Sequence, residues 1–155
     1  MESRKFVRKS ILSLVAGLAV ALTVAGTPAH AQEGEVICDL KIENPHYSDG
    51  AGSVIFKSRV ACQGAGPATI RIEGFLEAFG GTPENRPPGP GRTVTSDETR
   101  AVANDGRYVT FYTPVAGGAK MTGNGWYRGS VRGTVVTPPG TVNSATGNDA
   151  YVVTP

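Results

Sequence analysis

Hydrophobic and polar residues alternate with a period of two along several short runs of this chain. The first run places Val36, Cys38, Leu40 and Ile42 on one side, and their neighbours are mostly polar. Such alternation is typical of antiparallel strands that bury one face. Similar runs follow at 54–62, 68–78, 99–103, 107–113, 125–137 and 150–154, and a weaker run at 93–96 continues into the fourth. The pattern predicts about seven strands, spaced as in a β-sandwich.

We therefore expect residues 32–155 to form a single antiparallel β-sandwich, immunoglobulin-like in general architecture. Tyr127, early in a late strand, resembles the tyrosine corner of immunoglobulin-like sandwiches, although this resemblance covers only Tyr127 and its neighbours. In the same strand Gly129 and Gly133 would leave hollows on one face that a facing aromatic ring can fill.

The sequence has two cysteines, Cys38 and Cys62, which lie in the first two predicted strands. If they face each other in an antiparallel pair, Leu40 meets Val60 and the apolar positions share one face. Opposed residues in such a pair lie within disulfide reach. The sequence therefore predicts a Cys38–Cys62 bridge, which should stabilise the fold by roughly 3–4 kcal/mol in the chain-entropy model.

Turn chemistry extends this register to later strands. The Gly-rich segment 63–67 predicts that the third strand pairs with the second, with Val60 opposite Ile70. Residues 104–106, Asn-Asp-Gly, predict a hairpin between two further strands. Residues 80–91 and 138–149 are rich in Pro, Gly and polar residues and are expected to be surface loops.

This register also predicts a possible binding surface on the outer face of the sheet. Lys41, Arg59 and Arg71 would form a basic row beside an apolar pair of Ile55 and Phe75. A row of like charges invites an anionic ligand or an acidic partner. The favoured alternatives are that the side chains extend into water, where screened charges cost little, or that the register is wrong. Trp126 completes the surface as an exposed anchor; core packing at the rim of the sandwich is the alternative.

The first 31 residues have the three parts of a secretory signal peptide. A basic start at residues 4–9 precedes an uncharged apolar stretch from Ile11 to Gly26, and Ala29-His30-Ala31 forms a small-x-small cleavage site. The apolar stretch is shorter than the roughly 20 residues of a membrane span. We expect cleavage after Ala31, secretion by the general secretory pathway, and no membrane span in the mature protein.

Removing residues 1–31 changes the charge of the chain. The full sequence has 15 basic and 13 acidic residues, and the mature part retains 11 and 12, a net charge of −1. A near-neutral protein has no global field that would attract nucleic acid. The abundance of Arg, Gly, Ala, Thr and Pro is typical of bacteria with GC-rich genomes.

Catalytic constellations are not evident in the mature sequence. His46 is its only histidine and lies in a predicted turn without a nucleophile motif, so neither a hydrolytic triad nor a metal site is indicated. Glu73 and Glu77 share a strand face that is expected to be exposed, where paired carboxylates are usually solvated. We expect no cofactor and no bound metal.

The sequence favours a noncatalytic role for this chain, namely binding of an extracellular protein or a cell-envelope component by a monomer. One alternative is a structural protein of the envelope or spore surface. Another is a small secreted hydrolase that uses carboxylates in its loops. A continuous apolar patch would favour binding, whereas a pocket with two close carboxylates would favour the enzyme.

Cleavage after Ala31 should give a mature protein that begins at Gln32, because residues 29–31 are the only well-placed small-x-small site after the apolar stretch. N-terminal sequencing of the protein from the culture medium checks this. Retention of the uncleaved chain in the membrane fraction would contradict it.

Overall fold

A computed structural model describes residues 35–64, 66–147 and 149–155, which form ten strands and no helix. The predicted signal peptide and its cleavage site lie outside these residues. The strands are β1 (Val36–Ile42), β2 (His46–Ser48), β3 (Ser53–Gln63), β4 (Ala68–Gly80), β5 (Arg92–Val102), β6 (Val109–Thr113), β7 (Gly125–Thr137), β8 (Gly140–Val142), β9 (Ala145–Thr146) and β10 (Ala150–Val152). The seven predicted strands correspond to β1, β3, β4, β5, β6, β7 and β10.

Two five-stranded sheets pack face to face, so the predicted all-β sandwich is confirmed. In sheet 1, β3 pairs with β1, β2 and β6, and β8 adds to β1 in parallel. In sheet 2, β4 lies between β5 and β7, and the short strands β9 and β10 both pair with β7. Side chains from the inner faces of both sheets form one apolar core.

The register of the first hairpin agrees with the prediction. Cys38 lies opposite Cys62 and Leu40 lies opposite Val60. A disulfide joins the two cysteines, whose Cα atoms are 4.1 Å apart. Even-numbered side chains of β1 and β3 enter the core, because the bridge and the apolar pattern select the same register.

The predicted pairing of the second and third strands is wrong. Val60 of β3 lies between Leu40 and Val109, whereas Ile70 of β4 lies in the other sheet between Arg100 and Val135. Segment 63–67 therefore crosses from one sheet to the other and does not form a hairpin. The alternation of hydrophobic residues shows which face of each strand is buried, but two buried faces can meet across a sandwich as well as lie side by side.

The predicted hairpin at residues 104–106 is also wrong, although this segment does turn. The Arg107 amide donates to the Asp105 carboxylate at 2.9 Å, as expected of turn chemistry. However, the flanking strands β5 and β6 belong to different sheets, so the turn carries the chain around the side of the sandwich.

Side chains close the rim at which β5 and β6 meet. The hydroxyls of Ser96 and Thr113 form a buried hydrogen bond of 2.6 Å between the two sheets. Farther along, Arg100 donates to the Thr110 carbonyl at 3.0 Å, and its guanidinium lies 4.9 Å from the centre of the Phe111 ring. The two edge strands are therefore linked through side chains rather than through a backbone ladder.

Segment 138–149 is more ordered than a surface loop. Its strand β8 extends sheet 1 by pairing with β1, and its strand β9 pairs with β7 of sheet 2. The sequence did not reveal these pairs because β8 and β9 lie among Pro, Gly and polar residues without hydrophobic alternation.

Glycines on the inner face of sheet 2 receive side chains from sheet 1. A Cβ atom on Gly129 would lie 2.7 Å from the Phe56 ring, and one on Gly74 would lie 2.0 Å from the Thr113 hydroxyl. The hollow at Gly133 is likewise filled by the side chain of Val142. The predicted hollows in β7 are confirmed, with an aromatic ring in the first of them.

Tyr127 has the hydrogen bond expected of a tyrosine corner. Its hydroxyl donates to the Gly123 carbonyl, four residues upstream, at 2.7 Å. Burial raises the pKa of this phenol, which keeps it protonated as a donor. The bond fixes the entry of the chain into β7.

Gly129→Ala should lower the free energy of unfolding by about 1–3 kcal/mol, because the added methyl group overlaps the Phe56 ring. The loss should shrink when Phe56→Leu is also present. Gly89→Ala is the control, since a Cβ there meets nothing within 4 Å. Urea unfolding of the variants checks this, and equal losses at positions 129 and 89 would refute it.

Val60→Asp should abolish cooperative folding, because it places a carboxylate in the fully buried core of sheet 1. Arg59→Ala, one residue away on the outer face, should change the free energy of unfolding by less than about 1 kcal/mol. Circular dichroism and urea melts compare the two variants. Similar losses would mean that the two faces of β3 are assigned incorrectly.

Candidate functional site

The predicted basic row does not form. Lys41 and Arg59 are cross-strand neighbours on the outer face of sheet 1, but Arg71 lies in sheet 2, between Thr99 and Thr134. The row depended on the pairing of β3 with β4, which the structure replaces with pairs to other strands.

Each of the three basic side chains also has an acidic partner. Lys41 Nζ lies 3.3 Å from Asp39, Arg59 forms an ion pair with Glu43, and Arg71 donates two hydrogen bonds to Asp97 at 2.9 and 2.6 Å. These local pairs lower the positive potential that an acidic ligand would encounter.

Tyr108 stabilises the ionised form of Asp39, the acidic partner of Lys41 on β1. Its hydroxyl donates to Asp39 Oδ2 at 2.6 Å, and its ring lies 4.9 Å from Lys41 Nζ. The hydrogen bond from Tyr108 and the ammonium of Lys41 lower the pKa of the Asp39 carboxyl. The acid therefore remains ionised beside the lysine that the sequence marked as a binding residue.

Ile55 and Phe75 do not form a joint apolar patch, because they lie on different sheets. Phe75 is half-buried between Thr95 and Ser130. Ile55 is only 6 % exposed although it lies on the outer face of sheet 1. Residues outside the neighbouring strands therefore cover Ile55, and these residues form the walls of the groove described below.

Trp126 is half-buried and contacts the Pro/Gly-rich segment 80–91. Its indole N–H donates to the Thr82 carbonyl at 2.7 Å, and its ring meets Tyr151 edge-on at 5.8 Å between centroids. These contacts favour the packing alternative at the rim of sheet 2, since the polar edge of the indole is already paired.

A second set of contacts holds segment 80–91 against sheet 2. The Arg86 guanidinium lies 3.8 Å from the centre of the Phe79 ring and forms an ion pair with Asp149. Asp149 also accepts two hydrogen bonds from Arg128. The loop that composition marked as free surface is therefore attached by two aromatic residues and an arginine–aspartate network.

A groove with a volume of about 420 Å³ lies on sheet 1. It lies between the β2–β3 turn and the segment that follows β6, and Ile55 and Ser53 lie between these two segments. Its lining residues are Ser48, Gly50, Ala51, Ser53, Ile55, Tyr112, Pro114, Val115, Ala116, Gly117, Gly118, Ala119 and Lys120. Most of these side chains are small and apolar.

The wall formed by residues 114–120 is fixed at both ends. At one end Thr113 holds the buried hydrogen bond to Ser96. At the other end Met121, 1 % exposed, accepts from the Val54 amide at 2.7 Å and donates its own amide to Ser53 at 2.9 Å. Between these anchors the chain turns where the Gly118 amide donates to the Val115 carbonyl at 2.9 Å. The wall is therefore preformed.

Among the described residues, Lys120 is the only charged side chain that lines the groove, and none of its lining residues is an aspartate or a glutamate. Within the same ranges no carboxylate lies within 4 Å of Lys120. The ammonium lies close to the opposite wall, since a Cβ on Gly52 would be 3.2 Å from Nζ. The groove therefore offers a ligand apolar contact and one positive charge.

Sequence reasoning identified only Ile55 among the groove residues. The available signal was the uncharged run Pro114–Ala119 between two strands, followed directly by Lys120. Tyr112, 41 % exposed beside this run, was counted only as a strand residue.

Other predicted chemistry is placed elsewhere. The His46 ring nitrogen Nδ1 lies 3.0 Å from the Asn44 carbonyl. His46 begins strand β2 and lies opposite Ile55, so the turn predicted around this residue is wrong. In residues 35–64, 66–147 and 149–155, no group of three or more potential ligands could hold a metal ion. No helix in these ranges is long and apolar enough to cross a membrane.

No protein-family model matches the chain, and no curated protein matches it significantly.

Proposed function

We propose that this chain is an exported, noncatalytic binding protein, which binds an extracellular protein or a cell-envelope component through the groove on sheet 1. The observation that carries the proposal is the groove itself, a preformed apolar concavity of about 420 Å³. Ligand sites commonly occupy about 300–1,000 Å³ and combine apolar walls with a few polar groups.

The anchored wall supports binding by limiting the entropy lost on association. Residues 114–120 are held at Thr113 and at Met121 before any ligand arrives. A ligand that enters such a site does not have to order a loop, which commonly costs about 0.5–1.5 kcal/mol for each immobilised side chain.

The lining supports binding over hydrolysis. Glycoside hydrolysis requires two carboxylates beside the scissile bond, whereas the described lining consists of alanine, glycine, serine, proline, valine, isoleucine, tyrosine and one lysine. Export is supported by the leader pattern of residues 1–31 and by the disulfide, since such bridges persist in oxidising compartments.

A photoreactive benzoylphenylalanine in place of Tyr112 should cross-link to one discrete partner among proteins and envelope fragments of the source cells. The same residue in place of Thr134, exposed on the outer face of sheet 2, is the matched control and should give no such product. Excess wild-type protein should compete for the partner.

Ala116→Arg should remove this competition, because Ala116 is exposed within the groove and the long side chain would fill it. Cross-linking is read by mass spectrometry. Equal products from positions 112 and 134, or undiminished competition by Ala116→Arg, would contradict binding at the groove.

A further inference from the structure

We propose that the groove binds the C-terminal tail of a polypeptide, an extended segment with small apolar side chains whose terminal carboxylate pairs with Lys120. This assignment rests on the binding role proposed for the groove and specifies the chemistry of its ligand.

The charge of the ligand follows from the lysines. Three lysines lie in the described residues, and two of them have acidic partners: Lys41 lies 3.3 Å from Asp39, and Lys57 lies 3.8 Å from Glu43. Lys120 has no such partner within the described part of the chain, although it lies at the mouth of an apolar groove. A ligand that carries one negative charge beside an apolar body complements this arrangement.

The size of the ligand follows from the lining. A volume of about 420 Å³ accommodates a short peptide of about three small residues. Alanines at 51, 116 and 119 leave shallow spaces between the walls, which suit methyl and isopropyl groups better than aromatic rings. The half-exposed Tyr112 provides a flat apolar surface at the β6 side.

Exposed backbone in the walls favours a peptide over a fatty acid. A Cβ built on Gly50 or on Gly117 meets nothing within 4 Å, so a ligand can approach the main chain at both positions. An extended peptide can exchange hydrogen bonds with such main-chain groups, whereas an alkyl chain gains nothing from them. A single ammonium, without an arginine fork, also fits one terminal carboxylate better than a phosphate cluster.

Two probe peptides test this inference: acetyl-Ala-Val-Ala with a free C-terminal carboxylate, and the same peptide as its C-terminal amide. The full-length gene product, purified as the host processes it, is titrated at low ionic strength and followed by NMR. The acid should bind about tenfold more tightly than the amide, and added salt should reduce the difference. Shifts should concentrate at Ile55, Tyr112 and the amides of residues 115–120.

Lys120→Gln should abolish the preference for the acid and leave the binding of the amide unchanged. Arg132→Gln is the matched control, because it removes one exposed positive charge from the opposite sheet and also lacks an acidic partner among the described ion pairs. This control should keep the tenfold preference. Lys120 is exposed, and unchanged thermal unfolding of Lys120→Gln verifies that the variant folds.

Equal affinities of the acid and the amide in the wild type would overturn the assignment. Tighter binding of decanoate than of the acid peptide would overturn it as well, in favour of a fatty acid. If the cross-link from position 112 still forms and Ala116→Arg still fails to compete, binding at the groove stands and only the peptide assignment fails. If the cross-link does not form and Ala116→Arg competes like the wild type, then binding at the groove and the peptide assignment both fail.

Discussion

The close approach of the two sheets depends on glycines in sheet 2. Gly74, Gly129 and Gly133 lie on the inner face, and across the β4–β7 pair each is opposite a larger residue: Val131, Leu76 and Ile72. Large and small positions therefore alternate in both directions over this face. Phe56, Thr113 and Val142 of sheet 1 enter the small positions, so the relative placement of the sheets is set by shape as well as by area.

This interlocking positions the groove. Phe56, which fills the hollow at Gly129, follows Ile55, the groove residue on the other face of β3. Thr113, which fills the hollow at Gly74, is also the residue from which the groove wall departs. A strand has two faces, and here one face fixes the core while the other presents the candidate site. The geometry of the groove is therefore coupled to the packing of the core directly beneath it.

Much of the fold could be predicted from local pattern. Period-two alternation identified seven of the ten described strands and their buried faces, and the cysteines selected the register of β1 against β3. The partners of β3 and β4 could not be predicted, because both strands bury their even-numbered residues. That parity is the same whether two strands pair in one sheet or face each other across the core. Turn signals at 63–67 and 104–106 indicated a change of direction but not the sheet to which the chain moves.

The candidate site was harder to predict for the same physical reason. Arg71 and Phe75 were assigned to the surface through a cross-strand pairing that does not exist. Lys41 and Arg59 of sheet 1 form ion pairs with Asp39 on β1 and with Glu43 directly after it. The groove instead arises where two irregular segments, 48–51 and 114–120, meet over Ile55. Irregular segments have no period, and their meeting depends on long-range hydrogen bonds such as the one between Met121 and Ser53.

The side-chain closure of the β5–β6 rim has a consequence for how copies of this protein behave when concentrated. Templated polymerisation starts when a strand of one molecule adds to the open ladder of another. On this rim the Thr110 carbonyl is already bound by Arg100, and an incoming strand would have to displace a charged side chain that also lies over Phe111. Arg100 thus acts as a guard against self-association along this rim, because without its side chain the Thr110 carbonyl would be open to an incoming strand.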